Sequence, residues 1–188
     1  MNRRDLFRQT LLGATCAAAA GAASAREFPP GYDASRDLDR ADWKPLFLDD
    51  HQNETLVAFS DMLIPTTDTP GAKAALVNRF LDQLLAAEAY ETRQRFVDSL
   101  AFLDGESFAR YRTAFTGLTH EQQTEVMTFM AYPHTSDDAG EDAPNNYAGY
   151  GHFSNLKGWI SQAYYSSEIG MRSLGYTGAP GGVFEGCR

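Results

Sequence analysis

Cysteine is almost absent from this chain: Cys16 and Cys187 are the only two among 188 residues. The first lies in an N-terminal stretch that reads as a removable leader. That leaves Cys187 alone in residues 26–188 and excludes an intrachain disulfide there. A lone thiol one residue from the C-terminus is free, packed, or paired with another chain. No Cys-x-x-Cys, Gly-x-Gly-x-x-Gly or Gly-x-x-x-x-Gly-Lys occurs, so no iron–sulfur, haem, flavin, nicotinamide or nucleotide site is legible. Basic residues are scarce as well, 16 against 25 acidic ones. Setting aside the three arginines and one aspartate of residues 1–25 leaves 13 bases against 24 acids, a formal charge of −11. Such a balance argues against nucleic acid, whose phosphates need a basic face, and against adhesion to anionic lipid. Strand-like alternation persists nowhere and no internal repeat is visible, which excludes a β architecture or a solenoid.

What is present begins at the N-terminus. Asn2-Arg3-Arg4-Asp5-Leu6-Phe7-Arg8 places an arginine pair before two apolar residues and another base. An Ala-rich run from Thr10 to Ala23 follows, and Ala23-Ser24-Ala25 has the small-x-small pattern of a signal-peptidase site. The run is too short and too weakly apolar for a bilayer span of ~20 residues. Residues 1–25 therefore read as a twin-arginine signal cut after Ala25, a route that carries already folded proteins into the periplasm. The bland alternative is an ordinary basic leader. Lipid attachment at Cys16 is disfavoured, because Gly13-Ala14-Thr15 lacks the usual aliphatic residue three positions upstream.

Residues 26–48 read as an extended arm: Pro29-Pro30-Gly31 blocks regular structure, and Trp43, Leu46, Phe47 and Leu48 form an apolar patch suited to dock on the body. Residues 49–188 read as an all-α domain of about five helices with an irregular Gly/Pro-rich C-terminal tail. Asp49 or Asp50 caps a helix over 51–63 that turns Leu56, Phe59, Met62 and Leu63 inward and stops at Pro65. Thr69-Pro70 resembles a helix start, with Val77, Phe80, Leu81, Leu84 and Leu85 on one stripe beyond it. A third helix over 90–111 carries Phe96, Leu100, Leu103 and Phe108, with Gly105 as a potential break. Thr119-His120-Glu121-Gln122 is a capping box that opens a fourth helix to Ala131, burying Val126, Phe129 and Met130. Residues 134–149 read as an acidic surface loop, 152–166 as the last helix, and the chain from Gly170 as the tail.

The catalytic inventory is thin. His51, His120, His134 and His152 include no pair at the i, i+4 spacing of a helical metal site. His134 and His152 bracket Asp137-Asp138-Ala139-Gly140-Glu141-Asp142, but those carboxylates do not alternate as in a calcium loop. A solvated acidic loop explains them; a stand-alone periplasmic α-helical binding or metal-dependent protein is the rival reading they permit. Thr66-Thr67-Asp68-Thr69 is accounted for by hydroxyl and carboxylate turns. The helix around Trp159, Tyr164 and Tyr165 differs in kind, because neighbouring tyrosines point about 100° apart and cannot share one core. Tyr and Trp are the residues that anchor protein interfaces. Burial between the body and its own tail is the structural alternative.

Two blocks carry a resemblance to a known family. Leu63-Ile64-Pro65-Thr66-Thr67-Asp68-Thr69-Pro70-Gly71-Ala72 resembles the IPATDTPGA signature of the gluconate 2-dehydrogenase subunit 3 family. Tyr164-Tyr165-Ser166-Ser167-Glu168-Ile169-Gly170-Met171, then Leu174-Gly175-Tyr176 and Gly186-Cys187, resembles that family's C-terminal ending. Thr66 stands where the signature more often has Ala. The resemblance implies a non-catalytic small subunit of a periplasmic dehydrogenase acting on sugars or sugar acids. It would escort a folded large subunit of the glucose–methanol–choline type, which holds the FAD, through twin-arginine export. A multi-haem cytochrome c as third member, and membrane contact only through the complex, are further implications. The family motif has no catalytic residue to transfer, so no catalytic, cofactor-binding or metal residue is assigned to this chain. The contact with the large subunit is expected at Trp43, Trp159, Tyr164, Tyr165, Tyr176 and Cys187.

Overall fold

The computed structural model describes residues 38–132 and 147–176. The expected leader with Arg3, Arg4, Ala23 and Ala25, most of the arm before Leu38, the acidic loop from His134 and the tail with Cys187 lie outside the described residues. Among the described residues the fold is all-α. The helices are α1 (Asp50–Leu63), α2 (Val77–Ala87), α3 (Tyr90–Tyr111), α4 (His120–Met130), α5 (Gly149–Tyr165) and α6 (Glu168–Ser173). A 3₁₀ turn at Phe115–Gly117 joins α3 to α4.

Local chemistry explains several boundaries. Asp49, not Asp50, caps α1: its carboxylate accepts from the Gln52 N–H at 2.7 Å while the Gln52 side chain accepts from the Asp49 N–H at 3.1 Å. Thr119 and Gln122 repeat this reciprocal pair at the start of α4. Gly105 does not interrupt α3. The buried stripe of Phe96, Ser99, Leu100, Leu103 and Ser107 runs past it and outweighs the ~1 kcal/mol that a mid-helix glycine costs. That stripe passes through Ser107, so Phe108, expected inside, is turned outward and is 54% exposed.

The core is a layer of aromatic and aliphatic side chains gathered around α5. Phe59 of α1 meets Phe153 of α5 edge-on at 5.7 Å and Phe115 at 6.3 Å. Phe96 of α3 meets Trp159 of α5 at 6.3 Å with perpendicular rings. Both geometries suit the aromatic quadrupole. The inward face of α2 is Val77, Phe80, Leu81, Leu84 and Leu85, all buried as their spacing requires. On α5 the face is Phe153, Leu156, Ile160, Ala163 and Tyr164. α5 packs mainly on α3 and also touches α2, α4 and α6.

Three boundaries depart from the sequence reading. α2 begins at Val77, and Thr69-Pro70 does not start it. Residues 72–75 instead make one aborted turn, closed by Leu76 N–H to Lys73 O at 3.1 Å and Val77 N–H to Ala72 O at 3.2 Å. This is the Schellman pattern, and Leu76 takes the left-handed position (φ 52°) that usually belongs to glycine. α5 starts at Gly149, three residues before the expected His152. A sixth helix, α6, occupies the stretch where the irregular tail was expected to begin; Ser167 caps it through a hydrogen bond from the Gly170 N–H.

The arm from Leu38 to Leu48 is fastened to α2 by polar contacts that the apolar pattern concealed. The Asp82 carboxylate, fully buried, accepts the backbone N–H groups of Leu46, Phe47 and Leu48 at 2.6, 3.0 and 2.8 Å. One turn earlier, Arg79 donates to the carbonyls of Leu38 and Arg40 at 2.6 and 2.9 Å, and its guanidinium sits 5.0 Å above the Trp43 ring. Leu38 and Leu48 are buried at the two ends of this strap, Phe47 is partly buried, and Leu46 faces solvent at 57% exposure, contrary to expectation. Replacing Asp82 by Ala leaves three strap N–H groups without their acceptor, an expected cost of about 2–3 kcal/mol. Urea unfolding of Asp82→Ala should show that loss, with faster tryptic cleavage after Arg40; a wild-type midpoint and digestion pattern would contradict the assignment.

Candidate functional site

The site is built where α1 ends. Ile64 closes that helix with its N–H on Ser60 O at 3.0 Å, and Pro65 cannot continue it. The chain then doubles back so tightly that Gly71 lies against the backbone of Ile64 and Pro65. A Cβ at position 71 would stand 2.4 Å from Ile64 O and 2.6 Å from the Pro65 carbonyl carbon. Two hydrogen bonds pinch this neck: Ala72 N–H to Ile64 O at 2.9 Å, and Gly71 N–H to Thr66 Oγ1 at 3.1 Å. Within the loop Thr67 N–H bonds Thr69 O at 3.0 Å, and the Thr67 hydroxyl donates to Asp68 at 2.9 Å. Every residue from Pro65 to Pro70 is exposed, so this order serves the surface rather than the core.

The other half comes from the end of α5. Tyr164 is buried to 3% exposure, and its hydroxyl donates to Pro70 O at 2.8 Å, joining positions 94 residues apart. Ser167 Oγ donates to Tyr164 O at 2.6 Å and accepts from the Gly170 N–H at 3.0 Å, so one hydroxyl both closes α5 and opens α6. Gly170 rides directly on that carbonyl; a Cβ there would be 2.1 Å from Tyr164 O. The following residue, Tyr165, is 47% exposed with its ring 5.1 Å from that of Tyr164, edge to face. Beyond α6, Leu174 and Tyr176 are 60% and 53% exposed. Pro65 also lines an open groove of about 660 Å³ between α1 and α4, walled by Met62, Met127, Tyr132 and Phe153 among others. The outcome is an exposed loop hydrogen-bonded at its neck, in its interior and to Tyr164.

The expected contact residues are distributed unevenly. Tyr164 belongs to this chain's own core, and Trp159 and Trp43 are partly buried against Phe96 and Arg79. Tyr165 and Tyr176 face outward, and Cys187 lies outside the described residues. Tyr164 is brought to the loop 65–70 through Pro70; Trp43 serves the arm on α2. Sequence reasoning missed the roles of Gly71, Gly170, Ser167 and Asp82. For Asp82 a signal existed: a carboxylate between Leu81 and Leu84 in a strongly apolar helix has to find donors.

The histidines offer little chemistry. His152 lies between α3 and α5 with its ring stacked 4.4 Å from Phe102, and its Nδ1 is 3.1 Å from Ser99 Oγ. The same Ser99 hydroxyl lies 2.8 Å from Arg95 O and accepts from the Asn155 side-chain amide at 3.0 Å. Burial lowers the His152 pKa from the ordinary 6.5, Asp98 opposing the shift and Arg95 adding to it. His51 Nε2 is 2.7 Å from an Asp104 carboxylate whose other oxygen accepts the Phe115 N–H at 2.9 Å. Among the described residues no three His, Cys, Asp or Glu side chains gather as metal ligands, and no helix is long and apolar enough to cross a membrane.

Fold and site together define a small helical domain with an exposed, hydrogen-bonded loop at residues 65–70. Residues 50–181 match the gluconate 2-dehydrogenase subunit 3 family, and the chain belongs to that family. The match opens at the first residue of α1 and includes both halves of the site. Membership in a family of dehydrogenase subunits implies a multi-subunit dehydrogenase complex. No curated protein and no solved structure matches the chain.

Two outcomes follow. Gly71→Ala and Gly170→Ala should each destabilise the protein by about 1–3 kcal/mol, because the added carbon meets backbone rather than a movable side chain; unchanged thermal midpoints would refute the backbone contacts. Stability should also fall as pH drops below 6.5, the unfolded chain taking up a proton that folded His152 resists. Unfolding titrations at pH 7 and pH 5 on wild type and His152→Gln check the sign: the variant should lose less on acidification.

Proposed function

We propose that this chain is the non-catalytic small subunit of an FAD-dependent dehydrogenase for sugars or sugar acids, escorting its folded flavoprotein partner into the periplasm and stabilising it there. The observation that carries this reading is the loop 65–70. It is fully exposed, yet held by five hydrogen bonds from its own neck and interior and from Tyr164. Ordering a surface loop costs conformational entropy that nothing in the core recovers, which makes sense if a partner reads the ordered shape. Tyr165 and Tyr176 supply the exposed aromatic area that anchors such contacts.

Family membership supports a subunit role. The Arg3-Arg4 leader supports export in the folded state, a route suited to a partner that must receive FAD before it crosses the membrane. FAD and any haem belong to the partners, the large dehydrogenase subunit and a cytochrome c. The rival metal-dependent reading draws on His152, which packs against Phe102 and Ser99, and on His134 and residues 137–142, which lie outside the described residues.

A tagged full-length chain, recovered from the periplasm, should bring down a companion with flavin absorbance; a colourless, solitary protein would overturn the proposal. Tyr165→Ala combined with Tyr176→Ala should weaken that co-purification while leaving the fold intact by circular dichroism. Arg3→Lys with Arg4→Lys should strand both proteins in the cytoplasm, and continued export would refute the twin-arginine route.

A further inference from the structure

We infer that Tyr164 is the positioning residue of the docking surface: its hydroxyl presets the loop 65–70 in the shape that the partner binds. The inference rests on the docking role proposed above.

Two kinds of fastening hold the loop. The neck bonds, at Ala72 and Gly71, set where the loop leaves and re-enters the body. They do not reach Pro70, which, like Thr69, is exposed. Among the described residues, the hydrogen bond that reaches position 70 from outside the loop is Tyr164 Oη to Pro70 O at 2.8 Å. Proline has no N–H, so its carbonyl is the only backbone group through which position 70 can be held. The donor is rigid for three reasons. Its residue is almost wholly buried. Its backbone carbonyl is held by Ser167 Oγ at 2.6 Å. Gly170 blocks that carbonyl from moving, being packed so close that no side chain fits.

A latch of this kind has a specific energetic signature. Pro70 is exposed, so when the phenol is lost water satisfies its carbonyl and the fold loses little. The loop, however, becomes an ensemble, and the partner must order it on binding. A merely structural hydroxyl would lower stability and leave affinity alone. A positioning hydroxyl lowers affinity at nearly constant stability. Burial also explains why Tyr164 belongs with the docking surface although it cannot touch the partner itself.

The test is Tyr164→Phe in the full chain, which keeps the buried ring and deletes one bond. The probe is the flavoprotein subunit that co-purifies with the tagged wild-type chain. Affinity should fall by about tenfold, the equivalent of one hydrogen bond plus loop ordering. Amide exchange across residues 66–72 should accelerate while the rest of the protein is unchanged. A companion variant, Thr67→Ala with Asp68→Ala, alters the loop's own surface. If that double variant loses the flavoprotein while Tyr164→Phe binds like wild type, the latch is refuted and the docking role stands. If both bind like wild type, the docking role of the loop falls and the latch with it. Weaker binding by Tyr164→Phe accompanied by global loss of protection would also overturn the inference, because it would mark a structural hydroxyl.

Discussion

The contact of Tyr164 with Pro70 depends on two places where a side chain is missing. At Gly71 and Gly170 the chain lies against backbone at distances that no Cβ tolerates, 2.4 Å to Ile64 O and 2.1 Å to Tyr164 O. Each approach brings one end of the contact into place: Gly71 folds the loop back under α1, and Gly170 seats α6 on the end of α5. Only then can a phenol on α5 reach a carbonyl 94 residues earlier in the chain. Backbone packed on backbone is stiff, since neither side has a rotamer to adjust. The exposed surface inherits that stiffness.

A second fastening works by different physics. The strap from Leu38 to Leu48 is tied to α2 by charge-assisted hydrogen bonds at Asp82 and Arg79, with buried leucines only at its ends. A buried carboxylate with three backbone donors is satisfied; without them it would be a liability. Asp82 and the strap therefore require each other. α2 is consequently covered on nearly all sides, its apolar stripe by the body and its polar turn by the arm. This explains why Asp82 and Gln83 are buried next to Leu81 and Leu84.

Legibility in the sequence followed the range of the interaction. The first five helices, the inward stripe of α2, a cap at Asp49 or Asp50 and the capping box at Thr119 were readable because they depend on neighbours within a few positions. The two family-like blocks were readable as patterns, 63–72 and 164–171, without any indication that they touch. Thr69-Pro70 misled for a local reason: a hydroxyl before proline is a good helix start, but Gly71 is drawn into the neck and Ala72 donates to Ile64 instead. Phe108 misled because one more inward residue at Ser107 rotated the stripe away from it. Aromatic content around Tyr164 and Tyr165 was legible as a pattern, whereas which ring is core and which is surface depended on where α6 and the loop would lie.

The amino-acid order by itself determined a helical class, a chain without legible catalytic or cofactor motifs, the family, and the pairing of residue types with local turns and caps. These are short-range consequences of propensity, period and hydrogen-bonding groups. Tertiary structure alone decided that two distant blocks meet at Tyr164 and Pro70, that Tyr164 points inward as a donor while Tyr165 stays at the surface, and that a lone carboxylate on α2 holds the arm. Such outcomes turn on which distant groups meet at hydrogen-bonding distance. The sum of packing, loop closure and desolvation over the whole chain settles that, and no stretch of sequence contains it.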